Sequence, residues 1–91
     1  MWAAVLRSTL TWMELGRTIV IRRTMLEMGR RELAEAAGIS YTYLSELETG
    51  VKGPSQGMLT SLAGALRFSS PSALLAWGTA LQAFEEEHRP R

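Results

Sequence analysis

The chain has 91 residues, 46% hydrophobic and 21% charged, with a formal net charge of +1 and no cysteine. That is the length of one domain and the composition of an ordinary folded one, which excludes a second core, disorder, a disulfide scaffold and a thiolate metal site. The near-neutral balance argues against a strongly basic surface, but the charge is unevenly spread. Arg17, Arg22, Arg23, Arg30 and Arg31 fall within fifteen positions, whereas Glu85, Glu86 and Glu87 lie together far from them in sequence.

Taken in order, Trp2, Val5, Leu6, Leu10, Trp12 and Met13 recur at steps of three and four, so residues 1–13 read as an arm or short helix with one apolar face. Arg7 interrupts the stretch and no small-residue cleavage pattern follows, so it reads as part of the mature fold rather than as a signal peptide. Its apolar face either covers the core or serves self-association. No apolar run approaches the roughly 18 to 20 residues that span a bilayer.

A first helix is expected from about Glu14 to Met28, with Leu15, Ile19 and Leu26 on one face, Arg22 inside that stripe, and Gly29 as its stop. The stretch RRELAEAAGISYTYLSELETG, Arg30 to Gly50, then reads as two short helices around a turn at Gly38. Leu33, Ala34 and Ala37 form an apolar stripe. Glycine tolerates the positive φ of a helix stop, Ile39 sits under the turn, and Ser40 caps a helix that starts at Tyr41 and points Leu44 and Leu47 inward. Its other face, with Tyr41, Thr42, Ser45 and Glu46, carries no apolar obligation.

The VKGPS segment is a loop with Ser55 as cap, and a fourth helix runs to about Leu66 on Leu59, Leu62, Ala63 and Leu66. Ser70 caps a fifth helix with Pro71 in its first turn, running to about Phe84. Leu74, Trp77, Leu81 and Phe84 recur at three, four and three, a short seam that serves a dimer contact or packs back on its own domain. Glu85 to Glu87 stand at the negative end of the helix dipole, so the last turn is expected to fray into a solvated tail. With no alternating run and no hairpin turn, the class is all-α.

Most catalytic templates lack their residues: the chain has no aspartate, and His88 is its only histidine. Glu32, Glu35, Glu46 and Glu48 read as solvated or paired with nearby arginines rather than as acid-base groups. No enzyme activity, metal or cofactor is expected.

At RRELAEAAGISYTYLSELETGVKGPS the chain resembles the lambda-repressor-like family of helix-turn-helix DNA-binding domains, of the Cro/CI or XRE type. Leu33 and Ala34, Gly38, Ser40, Leu44 and Ser45, Leu47 and Glu48, Gly50, and Pro54 with Ser55 match its pattern. The likeness covers roughly residues 14–76. It implies a five-helix bundle in which the helix beginning at Tyr41 enters the major groove of double-stranded DNA. The resemblance makes Tyr41, Thr42, Ser45 and Glu46 the base-reading face, although Glu46 reads equally as half of a surface ion pair. It gives phosphate contacts to Arg30, Ser40, Tyr43, Lys52 and Ser55, and a partly buried ion pair to Arg23 and Glu48. The chain departs from the family at Arg22, where an aliphatic is preferred, at Gly29, where Ser or Thr caps, and at Glu27 and Arg67, where glycine is common.

The expectation is therefore a lambda-repressor-like bundle with an N-terminal arm over residues 1–13, a DNA-binding domain over 14–76, and a helix extension and tail over 77–91. It would act as a homodimeric, sequence-specific transcriptional regulator of bacterial or phage origin, cytoplasmic and nucleoid-associated, with no membrane association. The competing expectation keeps the fold but uses its aromatic surfaces to grip a protein partner, with DNA contact weak or secondary.

Overall fold

A computed structural model describes residues 10–90. Five helices follow one another without a strand among these residues: α1 (Trp12–Met25), α2 (Arg30–Ala37), α3 (Tyr41–Glu48), α4 (Gln56–Ala65) and α5 (Pro71–Glu87). The five-helix, all-α expectation is met. Of the N-terminal arm, Trp2, Val5 and Leu6 lie outside the described residues.

Four helices start on a hydroxyl cap. Thr11 and Glu14 form a reciprocal capping box at α1, Ser40 Oγ accepts from the Tyr43 amide, Ser55 Oγ from Met58, and Ser70 Oγ from Ala73. Only α2 starts without one, on Gly29. The capping box moves the start of α1 to Trp12, two residues before the expected Glu14.

Four helices end alike, with a left-handed residue followed by a backbone bond reaching five residues back. Met28 N–H donates to Arg23 O, Ile39 to Ala34 O, Val51 to Glu46 O and Phe68 to Ala63 O. The left-handed residues are Glu27 (φ 57°), Gly38 (φ 73°), Gly50 (φ 79°) and Arg67 (φ 65°). Thus Glu27, not Gly29, turns the chain out of α1. At Glu27 and Arg67 a side chain occupies a conformation that costs non-glycine residues about 1–2 kcal/mol.

The core gathers Leu15 and Ile19 of α1, Leu33 and Ala34 of α2, Leu44 and Leu47 of α3, Leu62 and Ala63 of α4 with Leu66 at its end, and Leu74 of α5. Each fully buried leucine contributes about 1.5–3 kcal/mol of burial energy. Packing runs α1 on α3 and α5, α2 on α3 and α4, and α4 on α5. The α1–α3 crossing is close because Gly16 has no Cβ: one would stand 2.5 Å from the carbonyl oxygens of Leu47 and Glu48.

Arg22 explains its own place in the apolar stripe. Its Nε donates to Leu66 O at the end of α4 (3.0 Å), and its guanidinium lies 4.3 Å from the centre of the Phe68 ring. An aliphatic residue there would leave that carbonyl without this donor. The helix α5 does not stop near Phe84 as expected but continues through Glu87. There Arg17 of α1 grips Glu85 through two parallel bonds, Nε to Oε1 at 3.0 Å and Nη2 to Oε2 at 2.9 Å. His88 stacks on Phe84, with ring centres 4.1 Å apart. These contacts oppose the dipole cost of the glutamate run, so the expected fraying is not seen over the described turn.

Candidate nucleic-acid interface

With Leu44 and Leu47 buried, the helical step of 100° puts Thr42, Ser45 and Glu46 on the far side of α3 and Tyr41 on its flank, one turn before Leu44. Tyr41 and Thr42 are exposed; Ser45 and Glu46 are half-buried. A helix of eight residues is about 12 Å long and, with side chains, about 10–12 Å across. That matches a B-DNA major groove about 12 Å wide. The Ser40 cap spends an oxygen lone pair on the helix and keeps its O–H as a donor, and the Ser55 cap does the same at α4.

Behind this face, the carboxylate of Glu48 is a structural hub, with 2% of its side chain exposed. Arg23 of α1 holds it with Nε to Oε2 (2.7 Å) and Nη2 to Oε1 (3.2 Å), and Arg23 Nη1 also donates to Met28 O (3.3 Å). Arg30 of α2 adds a third donor, Nε to Oε1 at 2.8 Å. One acid thereby joins α1, the α1–α2 turn, α2 and α3. The Glu48 carboxylate, and after it the Tyr41 hydroxyl, stabilise the charged form of the Arg30 guanidinium and push its pKa up.

Arg30, expected as a phosphate contact, is also engaged within the protein. Its Nη1 reaches the Tyr41 hydroxyl at 3.4 Å, and its guanidinium carbon is 5.6 Å from the Tyr41 ring centre. Exposed Arg31 stands 5.2 Å from the same centre. Of the remaining expected phosphate contacts, Lys52 Nζ is 3.3 Å from Glu46 Oε1, so two residues assigned separate DNA roles hold each other in the free protein. Tyr43 is half-buried against the core, and Ser55 is exposed.

The expected dimer seam divides. Leu74 is fully buried in the chain's own core and has no surface to offer a partner; α5 packs onto α1 and α4. Trp77 turns onto Phe68, ring centres 5.9 Å apart at 55°, with the Arg22 guanidinium 5.5 Å from its own ring. Leu81 is half-buried and Phe84 is 58% exposed. A heptad step turns only about 20° around a helix, so the passage from core to solvent follows the length of α5, whose last turns run on past Leu74 of the core and Leu75 packed against it.

Sequence reasoning missed three features of this region. The first is the Arg30–Glu48 bond, which joins residues eighteen apart. The second is Arg31 beside Tyr41, for which the adjacent arginines at a helix start are the available signal. The third is Trp12, whose indole lies flush on Gly53 in the loop after α3, where a Cβ would overlap its ring. Among the described residues no helix is long and apolar enough to cross a membrane, and no cluster of three or more His, Cys, Asp or Glu could hold a metal.

This geometry has close counterparts. A family model described as Helix-turn-helix matches residues 21–74. Two uncharacterised HTH-type transcriptional regulators of Mycobacterium tuberculosis, from strains CDC 1551 / Oshkosh and ATCC 25618 / H37Rv, are each 40% identical over 55 residues. The match covers 60% of this chain and 39% of each relative, so the chain spans about two fifths of the length of the curated relatives it matches. Two crystal structures of the clp gene regulator ClgR from Corynebacterium glutamicum superpose with TM-scores of 0.69 and 0.68 at 36% and 37% identity. They cover 81% and 88% of this chain and 94% and 87% of theirs. The capped α3, the glycine turn before it and the bundle that supports them, together with these matches, place the chain in the helix-turn-helix family, of the XRE type.

Proposed function

We propose that the chain is a sequence-specific regulator of transcription that binds double-stranded DNA as a homodimer, in the bacterial cytoplasm. The observation that carries this is the face of α3: Tyr41, Thr42 and Ser45 turned away from the core, with Arg30 and Arg31 gathered at its N-terminal end. Relatives named as transcriptional regulators support the same reading. Thr42 can donate, accept or meet a thymine methyl, Tyr41 can stack or donate, and Ser45 can bond either partner of a pair. Ser40, Ser55, Tyr43 and Lys52 would hold phosphates, which set register without specifying sequence. Glu46 would read a cytosine amino group once Lys52 is drawn to a phosphate.

Selection from a random duplex pool should return a site with two half-sites about 34 Å apart. On that site Thr42→Ala should cost about 1–3 kcal/mol, measured by titration, and far less on random duplex. Equal losses on both would remove α3 from the role of reader.

A second reading, a protein-interaction module with secondary DNA contact, is favoured by a groove of about 730 Å³ between α1 and α5, lined by Met13, Gln82, Phe84 and His88 among others. Met13 is 72% exposed. Salt separates the two readings. A DNA reader loses affinity for random duplex steeply as salt rises, whereas an adaptor shows almost no slope.

A further inference from the structure

We infer that Arg30 is a positioning residue for sequence readout: it transmits the fixed position of the buried Glu48 carboxylate to the Tyr41 ring and so defines which base edge Tyr41 meets. This rests on the proposal that α3 reads DNA.

Tyr41 stands in the first turn of α3 with its ring largely out of the core, and an exposed aromatic side chain normally samples more than one rotamer. A reader that moves discriminates poorly, because the free energy of fixing it offsets the contact it makes. Arg30 supplies the missing restraint. Its Nε is committed to Glu48, and Glu48 is itself clamped by the two bonds from Arg23, so the Arg30 guanidinium cannot swing freely. From that anchored plane Nη1 meets the Tyr41 hydroxyl, and the cation lies within reach of the ring face.

The chemistry requires arginine. Only a planar fork can bond a carboxylate through Nε and a phenol through Nη1 while lying against the ring; a lysine carries the same charge on one nitrogen and can serve one of these partners at a time. Arg31 provides an internal comparison, since the Glu48 carboxylate takes its three donors from Arg23 and Arg30 while Arg31 approaches the same ring. Its restraint on Tyr41 is correspondingly loose, and its contribution to DNA binding is that of a charge.

The test uses the full chain and a duplex selected by it, with every base pair of one half-site varied in turn by competition binding. Arg30→Lys should lose about fivefold to tenfold of discrimination at one base pair per half-site, with the others and the salt slope nearly unchanged. Tyr41→Ala should lose discrimination at that same pair, and the double variant no more than Tyr41→Ala alone, the non-additivity of two residues acting through one contact. Arg31→Lys should leave the preference profile intact. Because Arg23 still holds Glu48, Arg30→Lys should keep its helical circular dichroism. If it does not, Arg30→Gln takes its place, losing the charge and the fork but keeping a donor for Glu48.

A uniform loss in the Arg30 variants with no added loss of discrimination at any one base pair, or losses of discrimination at different pairs in Arg30→Lys and Tyr41→Ala, would overturn the inference while leaving α3 as the reader. A wild-type chain with no base preference would overturn the DNA-reading proposal and this inference with it.

Discussion

Glu48 and Glu46 are two residues apart on one helix, and each pairs with a base, yet their surroundings make their energetic roles opposite. The Glu48 side chain is 2% exposed and takes three donors from two arginines, one of which, Arg23, is itself mostly covered. Removing its charge leaves a half-buried guanidinium without a counter-ion, so Glu48→Gln should cost about 3 kcal/mol in urea unfolding. Glu46 is 34% exposed and meets Lys52 at 56%, so Glu46→Gln should cost about 0.5 kcal/mol or less in the same experiment. A similar cost for both would show that Glu48 is not the hub described. At this scale the sequence was legible where chemistry is local: the polar face of α3 and the Ser40, Ser55 and Ser70 caps all follow from residues within one helical turn. It was illegible where side chains reach across the fold. Arg22 looked like a misfit in an apolar stripe because the carbonyl it bonds lies forty-four residues away, and Arg30 looked like a free cation because its anion lies at the far end of another helix.

Helix ends were read from the sequence where glycine marks them, and also at α4, whose expected end near Leu66 the structure meets. Gly38 and Gly50 supply the left-handed residue that closes α2 and α3 without strain, but α1 and α4 close on Glu27 and Arg67, which carry no such signal, and the end of α1 was therefore placed too late. Strain at these two sites is recoverable. Glycine removes about 1–2 kcal/mol of conformational cost and returns about 0.5–1 kcal/mol through the unfolded chain. Arg67→Gly and Glu27→Gly should thus each stabilise by about 0.5–1 kcal/mol, raising the melting temperature by a few degrees for a chain this size. The far end of α5 was misjudged for the opposite reason: the dipole cost of Glu85 to Glu87 is visible in sequence, whereas Arg17, which offsets it, is sixty-eight residues away. Bonding to Arg17 holds the Glu85 carboxyl below the usual carboxylate range, its charge helps, and desolvation opposes only in part. A depressed folded-state pKa contributes stability above the ordinary carboxylate range and loses it as pH falls through the folded value. The difference in urea midpoint between wild type and Glu85→Gln should accordingly be fully present near pH 7 and be lost as acidification carries the pH through and then below the ordinary carboxylate range. A difference that grew on acidification would contradict the pairing.

For the molecule as a whole, the proposed homodimer is limited by what the fold has already covered. Its core is closed over Leu74, and Trp77 is taken up by Phe68 and Arg22, so the surface left for a second copy on α5 narrows to its outer half, with Phe84 beside Met13 of α1. That is a smaller seam than four residues at heptad spacing suggested, because the inner two serve the protomer. One eight-residue helix spans only part of a groove, and two half-sites about 34 Å apart multiply affinity when one rigid dimer occupies both. The dimer contact should therefore be separable from the reader. Phe84→Glu leaves the core untouched, and its melting temperature should stay within a few degrees of wild type. In sedimentation it should run as a monomer where wild type runs as a dimer. Affinity for an isolated half-site should be unchanged, while affinity for the complete site should fall by about 10²-fold, the advantage that linking two weak contacts confers. If Phe84→Glu remains a dimer with full affinity for the complete site, the second copy docks elsewhere, and the apolar end of α5 belongs to a different partner.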